Sequence, residues 1–188
     1  MLLRGPDMTL SYLCDAVTLR HFGTIGRLDI LAARCSYLDP PHWTQAVADE
    51  IREAAQLGYP GCRAILAATW LSTPMAPGHE DLKEIVRLQI GLNDGRRPPT
   101  EHAGEAEGIY FAEKIGGCFV TDDNGAYDFA ERRLGQGRVH DTVDLLREAV
   151  AYGDLDDGEA LNIVNMIRNS GRSIRRIHPN TLLRNYFQ

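Results

Sequence analysis

Apolar and polar positions in the first third of the chain predict one short strand followed by helices. A β-like run from Thr9 to Cys14 leads directly to Asp15, which is therefore expected at the carboxyl end of a strand. A helical stretch extends from there through Ala33, and glycines interrupt it near Gly23 and Gly26. The pattern thus predicts a strand, an acidic residue and a broken helix in succession.

Helical spacing returns in the middle of the chain, between Trp43 and Leu57. Val47 and Ile51 recur there at helical intervals, while Glu50 lies among acidic neighbours, so we expect Glu50 to be on a helix. The next stretches are Tyr59–Pro77, which fits either a helix or a strand, an amphipathic helix at His79–Leu92, and a turn-rich linker at Asn93–Glu101.

The second half of the chain alternates regularly between helical and strand patterns. The predicted elements are a helix at Gly104–Ile115, a strand at Gly117–Thr121, a helix at Gly125–Leu134, a strand near Val139, a helix at Thr142–Tyr152 and a helix at Asp156–Asn169 capped by Asp156 or Asp157. Such alternation favours an α/β fold in which helices cover a parallel sheet.

Length and composition indicate one domain with an appendage. The chain has 188 residues, of which 44% are hydrophobic and 24% charged, and this suffices for one well-buried core. It contains no run of the roughly 18 to 20 apolar residues that spans a bilayer, and its first thirteen residues lack the features of a signal peptide. We therefore expect a soluble, cytoplasmic protein that does not act on membranes.

The four cysteines are Cys14, Cys35, Cys62 and Cys118, and they are widely spaced. They form no CxxC pair, and the histidines are not spaced as in zinc fingers. Because three of them have apolar neighbours, we expect buried, reduced thiols rather than zinc ligands or disulfides.

Charge is distributed unevenly along the chain. The net charge is −6, but the segment from Ala160 to Gln188 contains five arginines and no acid, so it carries +5 and the rest carries −11. Arginine grips phosphate oxygens well, which makes four side chains candidates for binding RNA: Arg168, Arg172, Arg175 and Arg176. The alternative is that these arginines pair with acids of the same body or of a second subunit. Tyr186 and Phe187 likewise fit either base stacking or terminal packing.

Acidic residues fall at the edges of the predicted elements. They are Asp15 after the first strand, Glu50 within a helix, Glu105 at a helix start, and Asp122 with Asp123 after a strand. Sites in open parallel sheets form at the carboxyl ends of strands, so these acids are expected to meet. Clustered carboxylates require protons or a hard divalent cation, and Mg²⁺ or Mn²⁺ fits best. Taken singly, each acid also fits an ordinary solvated or helix-capping role.

The order and flanks of these acids resemble the PIN-domain family of metal-dependent ribonucleases, notably the toxins of toxin–antitoxin pairs. The resemblance covers roughly residues 10–153. It is carried by Cys14-Asp15, Val47-Ala48-Asp49-Glu50-Ile51, Gly104-Glu105-Ala106, Val120-Thr121-Asp122-Asp123, Asp141-Thr142-Val143-Asp144 and Ala149-Val150-Ala151-Tyr152-Gly153.

The resemblance implies a fold and an activity. The fold is a three-layer α/β/α sandwich with a mostly parallel central sheet, comprising residues 1–155 with a helical insertion at about 68–100, followed by a C-terminal helix and arginine-rich tail at 156–188. The activity is metal-dependent hydrolysis of RNA, with Asp15, Glu105 and Asp122 or Asp123 as metal ligands and Glu50 as the helical catalytic acid. A protein antitoxin and a homodimer are the implied partners.

The chain also departs from the family pattern. Val17 stands where the family often has Ser or Asn, and Thr18 or Thr121 is the candidate to replace that polar contact. The added segments leave open a second reading, in which the fold binds RNA or protein without cutting it.

Other enzyme classes fit the sequence less well. Receiver domains place their acids in the reverse order, and dehalogenase-like phosphatases need an aspartate at position 17. No GxSxG nucleophile motif or dinucleotide fingerprint is present.

Overall fold

The chain is an α/β protein, mostly helical, and its computed structural model describes residues 11–36, 39–93 and 101–175. Within these ranges the strands are β1 (Tyr12–Cys14), β2 (Cys118–Val120) and β3 (Val139–His140). The helices there are α1 (Ala16–Thr24), α2 (Leu28–Cys35), α3 (Gln45–Gln56), α4 (Cys62–Leu66), α5 (Leu82–Leu92), α6 (Ala103–Ile115), α7 (Asn124–Leu134), α8 (Thr142–Ala151) and α9 (Asp157–Asn169).

The strands form a small parallel sheet in the order β1-β2-β3. Leu13 pairs with Phe119, and Phe119 pairs with Val139, so the strands end side by side. Parallel bridges at Leu13 with His42 and at Thr44 with Met75 continue the pairing on the free side of β1. The predicted parallel α/β arrangement is confirmed. Within it, β1 lies between β2 and the segment that the bridge at Leu13 joins to it.

Successive side chains of these strands enter two different apolar clusters. Leu13, Phe119 and Val139 belong to a cluster built with α5, α6 and α7. Cys14 and Val120 belong to a larger cluster that contains residues of α1 to α4, α8 and α9. Because side chains alternate along a strand, the two clusters lie on opposite sides of the strands.

The helices agree closely with the sequence pattern, and the differences have local causes. α5 begins at Leu82 rather than at His79, where the side chain of Asp81 instead accepts a hydrogen bond from the Gly78 N–H at 2.9 Å and closes a turn. The undecided Tyr59–Pro77 segment contains only α4 and the bridge at Met75. Residues 94–100 of the predicted linker lie outside the described residues.

Further expectations concern the cysteines, the helix cap and the membrane. All four cysteines are buried with free thiols, as predicted. Asp156, not Asp157, caps α9. None of the helices in the described ranges is both long enough and apolar enough to cross a bilayer.

Glycine permits the close packing of α1 on α4. Gly61 caps α4 with a φ of 79°, a conformation that glycine adopts without strain. A Cβ atom at this position would lie 2.1 Å from the carbonyl carbon of Gly23. The two glycines therefore set the distance between α1, which carries Thr18 and His21, and its neighbour α4.

Candidate active site

Asp15 and Thr121 join the carboxyl ends of two neighbouring strands. Asp15 follows β1 directly and caps α1, where its carboxylate accepts a hydrogen bond from the Thr18 N–H at 2.7 Å. Its other oxygen accepts a hydrogen bond from the hydroxyl of Thr121, which follows β2. Asp15 is only 2% exposed, so this carboxylate is held rigidly inside the sheet edge.

Asp122 is the second buried carboxylate at this edge. One of its oxygens accepts hydrogen bonds from the hydroxyl groups of Thr142 and Thr18, the latter at 3.4 Å, and lies 3.2 Å from Nδ1 of His21. The other oxygen accepts a hydrogen bond from the Arg175 N–H at 3.4 Å. Residues from α1, α8 and the segment after α9 thus converge on Asp122.

Asp123 has a different role from its neighbour. Its side chain caps α7 by accepting a hydrogen bond from the Ala126 N–H at 2.8 Å, and its own N–H donates to the Thr121 hydroxyl at 3.1 Å. The sequence left open which aspartate joins the cluster. The structure places the side chain of Asp122 beside Thr18, and thereby near Asp15, and uses Asp123 as a helix cap.

Glu50 and Glu105 approach the same region from two helices. The carboxylate of Glu50 on α3 lies 3.8 Å from Nη1 of Arg20, and that of Glu105 in the first turn of α6 lies 3.3 Å from Nδ1 of His102. Both glutamates line an open acidic groove between α3 and the start of α6. His102 has a φ of 64°, and among the described residues other than glycine it alone has a positive φ, so the backbone is strained where Glu105 is presented.

The four carboxylates are linked electrostatically through Glu105, which acts on both Asp15 and Glu50. Burial raises the pKa of Asp15 to about 8, and the charges of Glu105 and Asp122 add to this rise against the opposing hydrogen bonds from Thr121 and Thr18. Burial also raises the pKa of Glu50, and the charge of Glu105 raises it further. The acids that the sequence placed far apart therefore form one electrostatic unit, which a proton or a cation stabilises.

Two arginines adjoin this unit. The guanidinium of Arg20 lies 5.0 Å from the centre of the Tyr59 ring. Burial lowers the pKa of Arg172, and the nearby charge of Arg20 lowers it further, whereas the charges of Asp15 and Asp122 oppose this shift. Arg172 is thus within electrostatic range of a second cation and of the buried carboxylates.

Arg175 is engaged with the protein itself. Its guanidinium stacks on Tyr127 at 3.5 Å from the ring centre and pairs with Asp128 at 3.0 Å and with the buried Asp141 at 3.4 Å. Of the two roles left open for the arginines, Arg175 therefore has the second, pairing with acids of the same body. Arg168 is half-buried at the end of α9. Arg176, Tyr186 and Phe187 lie outside the described residues.

The oxygen donors at this edge are of the type that Mg²⁺ and Mn²⁺ prefer, so the residues present fit such an ion chemically. In their present conformations, however, no three His, Cys, Asp or Glu side chains of the described ranges are arranged to hold a common ion. The reason is local: Asp15 and Asp122 direct their oxygens to threonine hydroxyls, and Glu105 approaches His102. A cation at this edge would replace some of those hydrogen bonds.

Sequence reasoning missed several residues of the site. The rule that selected Asp15 also applies to Asp141 and Thr142, which follow β3, and it would have found them. Nothing in the sequence marks His21 or Arg20, because their partners Asp122 and Glu50 come from distant segments.

Comparisons of the chain with protein-family models, with curated proteins and with solved structures found no match. The likeness to PIN domains accordingly stays a prediction from the motifs.

Proposed function

We propose that this protein is a divalent-metal-dependent endoribonuclease with a PIN-like, three-layer α/β/α domain. The observation that carries the proposal is the grouping of acids from separate segments: Asp15 and Asp122 both contact Thr18 at the sheet edge, and Glu50 and Glu105 line one groove. The charge of Glu105 raises the pKa of both Asp15 and Glu50, which links the two pairs. Gathering like charges costs stability, which is the signature of a functional rather than a structural cluster.

The position of each residue suggests its role in the proposed reaction. Asp15, Glu105 and Asp122 would hold Mg²⁺ or Mn²⁺, and Glu50 on the solvent-facing side would orient a water molecule. A bound ion of this kind supplies Lewis-acid polarisation of a phosphodiester and lowers the pKa of a coordinated water. Thr121 and Thr18 hold the carboxylates of Asp15 and Asp122 in place.

The same two threonines are the candidates to replace the polar contact that Val17 lacks. The polar contact that the family pattern would supply two residues after Asp15 is missing from that position. The hydroxyl of Thr121 donates to Asp15 and that of Thr18 donates to Asp122, so both predicted replacements contact the cluster. This supports retention of the site rather than its decay.

A second candidate is a binding module that retains the fold without turnover. The observation that favours it is that protein groups already occupy the carboxylate oxygens of Asp122. They are contacted by Thr142, His21 and the backbone of Arg175. A protein antitoxin and a homodimer stay predictions under either candidate.

Cleavage of total RNA during titration with Mg²⁺ and Mn²⁺ separates the candidates. We expect Glu105→Gln and Glu50→Gln to lower the cleavage rate by at least about 100-fold, a typical loss for a group that acts at the reacting centre. Both side chains are partly exposed, so circular dichroism should show an unchanged fold. Glu131→Gln, which removes an exposed acid of α7, is the matched control and should stay within about twofold of the unmodified protein. Undiminished cleavage in EDTA would refute the nuclease, whereas retention of RNA without cleavage at any metal concentration would establish the binding module.

A further inference from the structure

Two guanidinium groups flank the carboxylate cluster, and they come from distant parts of the chain. Arg20 is on α1, and Arg172 follows α9. We propose that Arg20 and Arg172 form a phosphate clamp that holds the backbone of the RNA beside the acids, a role whose ligand rests on the proposed function.

Arg20 is fixed in position by two contacts. Its Nη1 lies 3.8 Å from the carboxylate of Glu50, and its guanidinium lies over the ring of Tyr59. The side chain is 19% exposed, so part of it is open to solvent. Because the ring and Glu50 restrict its motion, little conformational entropy is lost when an anion binds.

Arg172 is a cation whose protein partners are incomplete. Its Nε is buried without a hydrogen-bond partner, and no ion pair joins its guanidinium to an acid in the described ranges. A buried donor without a partner costs about 1 to 3 kcal/mol, so a ligand or a water molecule that reached this nitrogen would be stabilised there. The charge of Arg20 nearby makes an anion the ligand that both groups favour.

The segment that carries Arg172 is firmly attached. Three residues later, the backbone of Arg175 donates to Asp122, and its guanidinium is bound by Tyr127 and Asp141. Ile174 is buried in the larger apolar cluster. Arg172 is therefore presented by an anchored backbone, as a recognition residue requires.

The chemistry of the cluster identifies the anion as a phosphate group of RNA. Carboxylates alone repel a polyanion, so a site that brings phosphate to acids needs fixed positive charge at its edge. Guanidinium groups bind phosphate oxygens through paired hydrogen bonds, which lysine does not reproduce. The acids would bind the metal, and the two arginines would bind oxygens of the phosphate.

Fluorescence anisotropy with a short labelled single-stranded RNA tests this assignment. All proteins carry Glu105→Gln, which is expected to block cleavage, and binding is measured in Mg²⁺ at several salt concentrations. We expect Arg20→Gln and Arg172→Gln each to weaken binding by about 10-fold, and to reduce the dependence of log Kd on log salt by about 0.7. Arg172→Lys should recover only part of the loss, because it restores charge without the fork of donors. Arg132→Gln removes the same charge from the far end of α7 and should change the affinity by less than about twofold.

The clamp is overturned if Arg172→Gln binds RNA like Arg132→Gln, or more tightly. Tighter binding, together with a raised affinity for Mn²⁺, would mean that Arg172 only neutralises Asp15 and Asp122.

The outcomes also distinguish the two proposals. RNA binding that depends on both arginines, without cleavage by the unmodified protein, would leave the clamp intact and refute the nuclease. Metal-dependent cleavage with an affinity that is insensitive to Arg172→Gln would refute the clamp alone.

Discussion

Replacement of Asp15 by asparagine should stabilise the metal-free protein at neutral pH while removing the proposed nuclease activity. The carboxylate is buried beside the charges of Glu105 and Asp122, and its pKa is about 8 instead of the ordinary 3.8. Because the folded-state pKa lies above the unfolded-state value, the folded protein retains a proton that the unfolded chain releases. Stability contributed by the neutral carboxyl is complete below pH 3.8 and is lost progressively as the pH rises towards 8. Asparagine does not titrate and avoids this loss.

The size of this loss of stability depends on how far the pH lies above the unfolded-state pKa. Over the roughly three pH units between about pH 4 and pH 7, the carboxyl group keeps its proton in the folded protein and loses it in the unfolded chain. This corresponds to a loss on the order of 4 kcal/mol for the unmodified protein. Asparagine has one acceptor oxygen where the carboxyl group has two, so it can accept only one of the hydrogen bonds from the Thr18 N–H and the Thr121 hydroxyl, and this costs about 1 to 2 kcal/mol. We therefore expect Asp15→Asn to be more stable by roughly 2 to 3 kcal/mol at pH 7 and less stable by about 1 kcal/mol at pH 4.

Urea denaturation in EDTA, measured from pH 4 to pH 9, checks this expectation. The difference in the free energy of unfolding between the variant and the unmodified protein should change sign within that range and level off above pH 8. Asp123→Asn is the control, because Asp123 only caps α7; its effect should stay below about 1 kcal/mol and should not change sign. A difference for Asp15→Asn that is independent of pH would refute the reasoning, since it would mean that Asp15 is ionised in both states.

Two further predictions concern the packing around the site. Arg175→Gln leaves the buried Asp141 without its guanidinium partner and removes the stack on Tyr127, so the free energy of unfolding should fall by about 2 to 4 kcal/mol in urea denaturation. Asp128→Asn, which removes only the exposed partner of the same arginine, should cost less than about 1 kcal/mol, and an equal loss for both variants would contradict this account. Gly61→Ala forces a Cβ atom against the backbone of α1 at a positive φ, and the thermal midpoint should drop by about 4 °C or more, a shift that corresponds to at least about 2 kcal/mol.

The sequence predicted the elements well because local signals and burial agree in this chain. Asp156 or Asp157 was expected as the cap of α9, and Asp156 is the cap; the short strand before Asp15 was expected from its apolar run and is present. The start of α5 was wrong because the contact between Asp81 and Gly78 is local turn chemistry that an apolar pattern does not reveal.

The composition of the site was harder to predict because it depends on side-chain direction. Asp122 and Asp123 follow the same strand, and only their contacts distinguish the buried residue from the helix cap. His21 reaches Asp122 across about a hundred positions of sequence, and such a pair becomes visible only when the fold has placed α1 beside β2. Arg175 was assigned to RNA or to internal acids, and its carboxylate partners Asp128 and Asp141 decide that choice.

The attachment of residues 172–175 to Asp122, Tyr127 and Asp141 has a consequence for how the protein is synthesised and dissected. The sheet and its acids are synthesised before Arg172, so an edge that formed at that stage would lack Arg172 and Arg175, whereas Arg20 on α1 would already be present. A fragment that stops before α9 would lack Arg172 and Arg175 permanently, together with the apolar residues that α9 contributes to the larger cluster. Premature termination would therefore yield a protein impaired in stability and in the proposed RNA binding alike, even though every predicted metal ligand is still present.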